Sequence, residues 1–479
     1  MTHYSDHDAT ALAQHVRDGR LSARDVLEDA LAAIAAANPQ LNAVVESYGD
    51  LARGDIDRGL PDGPLAGVPI LLKDLGCPAR GTRTTHGSRM FRDAASWSHD
   101  CAYVDFVRRA GAVVLGRTNS CEFGISLITE PTAYGPTHNP HAPGRSPGGS
   151  SGGAAAAVAS GMVPIAHATD GCGSIRVPAS HCGLVGLKPS RGRISFGPDT
   201  GDSWAGMSVN GTLTRSVRDT ALMMDVVARP YPGDTYALHR PVRSFCDLAE
   251  QPPPSLRIGV AVAPDDLDGE CRRAVDHAAA LCANLGHDVV PIAFETDLSA
   301  TIPSLIVIWA TQLTALIGDR DRGSDGMERI SSLLLARAAA FGATDHLAAT
   351  RHLNSFSRDF AARHDAFDVL LTPVASRPPW RIGTLRTDGD DLDAYMTDLF
   401  DLCLYTVQYN ITGRPAISLP LHRTAGALPV GVQFAARAGD DVTLLQLARQ
   451  IERAAPWASR IQSTIRAWQP GAELGPRAS

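Results

Sequence analysis

Apolar positions recur at helical spacing over residues 8–18 and 23–37, and the second run opens on Ser22-Ala23-Arg24-Asp25. A serine with an acid three residues later is a capped helix start, so two helices are predicted, the second ending before Asn38-Pro39. Together they form a helical lead-in over about residues 1–40. A strand is predicted over Leu41–Ser47 and a polar loop over Gly54–Pro64. The unbroken apolar run Gly67–Asp74, bounded by turn residues, predicts a buried strand with Lys73 emerging at its end. Gly76–Ser98 is loop-rich and placed to cover a site. A helix over Asp100–Arg109, a strand over Ala112–Gly116 and a loop over Thr118–Phe123 follow. Further on, Met162–Ala168 predicts a strand, Ser216 to about Val227 a capped helix, and Pro230–Pro254 a proline-rich surface excursion. Ile258–Val262, Cys271–Leu285 and Val289–Ile292 resume a strand–helix–strand rhythm, and 301–366 is mostly helical, forming a pocket-covering insertion that contributes Trp309. Strands over Phe367–Leu371, Ala416–Leu421 and Val430–Phe434 precede a closing helix over Asp441–Ala454. No internal repeat is visible, and the alternation implies one α/β domain with a mostly parallel or mixed sheet.

The pattern converges on Gly144–Lys188. Two glycine-serine clusters lie there, Gly148-Gly149-Ser150-Ser151-Gly152-Gly153 and Gly171-Cys172-Gly173-Ser174, separated by the alanine-rich run Ala154–Ser160. That run has high helix propensity and stops at Gly161, so the first cluster opens a helix whose N-terminus offers free N–H donors. The second cluster sits at the carboxyl edge of the strand ending near Ala168, where open α/β sheets bind ligands. Each cluster presents a hydroxyl beside backbone N–H groups.

Composition changes this picture little, with one exception. With 44% apolar and 20% charged residues the chain is globular, and a net charge of −7 gives no basic face for nucleic acid. The nine cysteines are dispersed without a C-x-x-C pair and read as free thiols of a reducing compartment. No secretory leader pattern and no apolar run long enough to span a membrane is seen, so a soluble, cytoplasmic protein is expected. The exception is lysine. Only Lys73 and Lys188 occur among 44 basic residues. Arginine cannot lose its proton in a protein, whereas a desolvated lysine can serve as a base near neutral pH.

Gly148–Gly152 also satisfies G-x-S-x-G, the nucleophile elbow of α/β-hydrolases, with Ser150 as nucleophile and His277, His287, His346, His352, His364 or His422 as partner. An elbow needs a strand leading straight into it, and Gly144-Arg145-Ser146-Pro147 is loop. No lysine follows the glycine cluster as phosphate binding requires, and H-E-x-x-H spacing is absent, so neither a nucleotide nor a metal cofactor is indicated. What remains is a lysine at a strand end and two serines on glycine-rich loops. A relay could use neutral Lys73 as base, one serine to pass the proton and the other to attack.

These residues resemble the amidase signature family. Its pattern GGSSGG…TDxGGSIRxPA…CGxxGLKP is matched by Gly148–Gly153, Thr169–Ala179 and Cys182–Pro189, and the likeness extends to AGVPILLKD around Lys73 and GRTNSCEFG around Asn119. Phrases such as GLVGLKPSRGRIS, RPYPGDT and GRPAISLP are most similar to nylon-oligomer amidases of the 6-aminohexanoate cyclic-dimer hydrolase type. The resemblance implies one large domain over 1–479, its signature core at about 60–230, with a mixed, twisted sheet covered by helices on both faces. It implies that Ser174 is acylated, that Ser150 follows a cis peptide bond and bridges, and that Lys73 is the base. The N–H groups of Gly171, Cys172, Gly173 and Ser174 would hold the oxyanion, Ser151 would orient Lys73 by a hydrogen bond, and Asp170 would support the nucleophile loop. Cys172 departs from the usual glycine and is expected to pack beneath the loop. Cys121, Phe123, Ile125, Trp309 and Tyr409 are the candidate pocket walls. The implied function is hydrolysis of a small, hydrophobic, aryl or cyclic amide, extending to esters or carbamates, without a cofactor and as a homodimer. The alternatives are an A-type amidotransferase subunit, which shares the motifs, and a non-catalytic binding protein on the same fold.

Overall fold

The chain is described by a computed structural model over residues 4–262, 267–294, 298–318, 320 and 326–471. Ser22 caps its helix as its sequence dictates: Ser22 Oγ accepts the Asp25 N–H at 3.0 Å, and the Asp25 carboxylate accepts the Ser22 N–H. That helix, Ala23–Leu41, runs through Pro39 and stops at Asn42, which is left-handed at φ 49°. The Asn38 side chain accepts the N–H groups of Ala43 and Val44, so it fixes the exit that proline was predicted to make. The expected polar loop begins instead as a helix, Gly49–Asp57. Only Ala52 of it is buried, and Arg53 ties it to Glu28 of the preceding helix.

Eleven strands follow in chain order: β1 Val44–Ser47, β2 Pro69–Lys73, β3 Val113–Thr118, β4 Ile165–Asp170, β5 Val185–Lys188, β6 Val209–Thr214, β7 Arg257–Ala261, β8 Asp288–Ile292, β9 Val369–Pro373, β10 Ala416–Arg423 and β11 Pro429–Ala436. They form one mixed sheet in the order β1-β3-β2-β4-β6-β5-β10-β11-β9-β7-β8. β2 runs parallel to β3 and β4, and β7 parallel to β8 and β9, while the remaining pairs are antiparallel. Every residue of β2, β3, β4, β6 and β11 is buried, so both sheet faces are covered, and β2 reads as an apolar run rather than an alternation. β5 and β6 were not foreseen, because VGLK and VNGTLT lack the β-branched runs that advertise a strand. The stretch 230–254 is mostly irregular, but its short helix Phe245–Ala249 buries Phe245 completely.

Helices Ile302–Ile317, Arg329–Ala338 and Ala343–His364 fill the segment expected to be helical, of which 319 and 321–325 lie outside the described residues. They build an apolar cluster of their own that includes Phe123, Cys172 and Trp309. The cluster therefore seats this helical segment on the loop after β4. Among the described residues no helix is long and apolar enough to cross a membrane.

Candidate active site

Register places the chemistry. β2 and β4 are parallel neighbours, with Ile70 beside Ile165 and Leu71 beside Ala166, so both release their loops at one sheet edge. Lys73 ends β2 and is wholly buried. Its Nζ donates to Ser150 Oγ at 2.6 Å and to Thr169 Oγ1 at 2.9 Å. Burial pulls its pKa down from the usual 10.5 to about 8, against smaller upward pulls from Cys121, Asp170 and Cys172. About a tenth of the lysine is therefore an uncharged amine at pH 7 and about half at pH 8, with a lone pair to receive a proton.

Ser150 follows a cis peptide bond from Gly149. A Cβ at Gly149 would run into the backbone of Ile128, which is why that position has no side chain. The helix Gly152–Ala159 starts directly afterwards. Ser151 does not meet Lys73, contrary to expectation. Its Oγ donates to the Thr169 carbonyl at 3.3 Å and accepts the Thr169 N–H at 3.4 Å, because it points across the parallel gap to the β4 backbone. Thr169, which the sequence reading passed over, holds the lysine instead.

The second cluster turns sharply after β4. Asp170 Oδ1 accepts the N–H of Gly173 at 2.7 Å, and Oδ2 accepts that of Ile175 at 3.1 Å. Arg176 grips the same carboxylate from Nε and Nη2, both at 2.9 Å, with both side chains fully buried. Asn410 adds a donor at 2.9 Å, and Gln433 accepts from Arg176 at 2.7 Å. Burial alone would raise the Asp170 pKa, but the Arg176 charge and its hydrogen bonds outweigh it and hold the carboxyl well below its ordinary range. The expected four-donor oxyanion site is corrected here: Gly173 N–H turns down to Asp170, which leaves those of Gly171, Cys172 and Ser174 with no protein acceptor among the described residues. The Cys172 thiol is buried and hydrogen-bonded to the free thiol of Cys403, which together with burial pushes its pKa far up. It packs beneath the loop as a neutral group, and Thr406 Oγ1 donates to its carbonyl at 2.6 Å.

Ser150, Ser174 and Thr169 line one side of a cavity of about 530 Å³. Phe123, Ile125 and Trp309 line it as expected walls, joined by Trp204, whose ring lies 5.1 Å from that of Trp309. Trp204 was missed; it packs over Gly171, where a Cβ would collide with its ring. Two expected walls are corrected. Tyr409 is buried against Phe360 on the far side of the Arg176 network, and Cys121 lies under the wall with its thiol on the Ser126 carbonyl at 3.4 Å. None of the six histidines considered for an elbow borders the cavity; His86 does, and burial lowers its pKa to about 4. Among the described residues no group of three or more metal-ligating side chains is found.

Known proteins resemble this chain over nearly its whole length. Residues 25–445 match the family described as Amidase. The chain is 39% identical over 474 residues to the 6-aminohexanoate-cyclic-dimer hydrolase of Paenarthrobacter ureafaciens, covering 95% of this chain and 96% of the relative. The structure of 6-aminohexanoate cyclic dimer hydrolase complexed with substrate superposes with a TM-score of 0.91 at 37% identity, over 96% of this chain and 99% of that one. A bacterial aryl acylamidase of the amidase signature family gives a TM-score of 0.86 at 28% identity, over 96% and 98% of the two chains. With a lysine and two serines gathered at one sheet edge and a match across nearly its whole length, the chain belongs to the amidase family and is an amidohydrolase.

Proposed function

We infer that this amidohydrolase cleaves small, weakly charged amides by a Lys73–Ser150–Ser174 relay. The observation that carries the reading is the 2.6 Å contact between a fully buried Lys73 Nζ and Ser150 Oγ. Neutral Lys73 takes the Ser150 proton as Ser150 takes that of Ser174, and Ser174 Oγ attacks the carbonyl carbon. The N–H groups of Gly171, Cys172 and Ser174 receive the oxyanion. The proton then returns through Ser150 to the leaving amine, and water releases the acyl group by the same route.

The substrate class follows from the wall. Phe123, Ile125, Trp204 and Trp309 offer apolar and aromatic surface opposite the serines. That suits cyclic or linear aliphatic amides and aryl amides; two of the similar proteins are named a 6-aminohexanoate-cyclic-dimer hydrolase and an aryl acylamidase. A fluorophosphonate probe, followed by intact mass and peptide mapping, tests the relay: one adduct on Ser174 is expected. An adduct on Ser150 overturns it, as does a folded protein that takes no label. Parallel assays with amides, esters and carbamates of equal size then rank the acyl donors.

A further inference from the structure

Two thiols in the cavity wall take no part in this chemistry. Cys77 follows Lys73 by four residues at the start of the loop-rich stretch, and Cys101 caps the N-terminus of the helix Ala102–Arg109 at its end. Both line the cavity, and their sulfurs are 3.6 Å apart, within hydrogen-bond contact of each other. The segment between them is already drawn closed, since the Cys101 N–H donates to the Pro78 carbonyl at 2.9 Å. Buried Arg117 donates to the Cys77 carbonyl at 3.1 Å and to that of Lys73 at 3.1 Å.

We propose that Cys77 and Cys101 are a dithiol redox site, which hydrogen peroxide entering the cavity converts to a disulfide that staples residues 77–101. The two sulfurs need to approach by only about 1.6 Å to reach bonding distance. Their environments divide the labour. The hydrogen bond with Cys77 holds the Cys101 thiol below its usual pKa, and the N–H groups of Val104 and Tyr103 and the Arg117 charge act the same way. Burial and the same bond push the Cys77 thiol up. Cys101 is thus the attacking thiolate and Cys77 the resolving thiol.

The Cys101 thiolate attacks one peroxide oxygen, the O–O bond breaks, and hydroxide leaves a sulfenic acid on Cys101. Cys77 sulfur then attacks Cys101 sulfur. The S–S bond forms, the S–O bond breaks, and the departing oxygen leaves as water with the Cys77 proton. In sum, two thiols are oxidised and one peroxide is reduced to two waters.

The test uses the full chain, reduced, desalted and exposed to stoichiometric hydrogen peroxide. Free thiols are then alkylated under denaturing conditions and the digest is mapped without reductant. A Cys77–Cys101 linked peptide, lost on adding dithiothreitol, is the expected main product. Arg80, Arg83, Arg89 and Arg92 are tryptic sites between the two cysteines, and all four are exposed. Limited trypsin cleavage of the oxidised protein should therefore leave halves that separate only on reduction. C77S should accumulate a dimedone adduct on Cys101, because nothing resolves it, and C101S should leave Cys77 alkylatable. The proposal is overturned if both thiols stay alkylatable after peroxide, if Cys172–Cys403 is the main linked pair, or if Cys101 in C77S takes no dimedone.

Discussion

Asp170→Asn isolates what the nucleophile loop owes to one buried charge. The substitution keeps the shape but removes the partner of a guanidinium that has no exposure to solvent. It also reverses a donor-acceptor count. Oδ1 receives Gly173 N–H, Arg176 Nη2 and Asn410 Nδ2, and Oδ2 receives Ile175 N–H and Arg176 Nε. Whichever position the new amide nitrogen takes, it faces at least two donors. Breaking a buried ion pair by removing one partner costs about 3–5 kcal/mol, and the stranded donors place this case toward the upper end. Urea unfolding followed by tryptophan fluorescence measures the loss. Because the native Asp170 pKa is depressed, its contribution is complete above about pH 5, is lost progressively below the unfolded-state pKa of about 4, and is gone once pH falls through the native value. The gap between wild type and variant should therefore be constant from neutral pH down to about pH 5 and narrow below. Asp170→Asn/Arg176→Met should recover part of the loss, since it leaves no unpaired charge. Activity carries a second signature. Asp170 is one of the groups that raise the Lys73 pKa, so the acid limb of kcat/KM in the variant should move to lower pH. A variant within about 1 kcal/mol of wild type, with an unmoved acid limb, would refute the reasoning.

In the wild-type enzyme kcat/KM should fall about tenfold per pH unit below an apparent pKa of about 8, because only uncharged Lys73 accepts a proton; a flat profile into acid contradicts that role. Lys73→Ala should abolish amide hydrolysis in a protein that still unfolds cooperatively, and full retained activity would remove the lysine from the relay. Thr169→Val removes the acceptor that orients the amine, so kcat should drop about fivefold to tenfold, the scale of one hydrogen bond, while Thr169→Ser restores most of it. Trp309→Ala should raise KM for aryl amides through lost wall area, whereas Tyr409→Phe, outside the cavity, should leave KM unchanged; equal effects from the two would contradict the assigned wall.

The proposed catalytic centre was legible because its constraints are local. Lys73 at the end of an apolar run, glycines where side chains collide, and serines between them announce themselves in a few residues each. The Asp170 clamp was legible only by half, since its other members, Arg176, Asn410 and Gln433, are up to 257 residues apart in sequence and meet through β11 and the helix Val407–Ile411. Trp204 carries no sequence signal at all: it sits in a loop where it and Ala205 both have positive φ, a conformation that only the surrounding packing can impose. Tyr409 failed for the opposite reason. As a large aromatic it was expected in the pocket wall, whereas its neighbour Asn410 serves the clamp and the tyrosine ring fills the core behind it.

The parallel pairing of β2 and β4 has a consequence for how this enzyme can change. The proposed base, Lys73, and the proposed nucleophile, Ser174, are indexed to each other by main-chain hydrogen bonds between adjacent strands, whereas most of the wall facing them is contributed by excursions that enter from elsewhere in the chain. Reaction and selectivity are thus held in separable parts of one polypeptide. Swapping the 196–205 segment or the 302–317 helix between relatives should transplant substrate preference while the proton-transfer distances stay as the sheet set them.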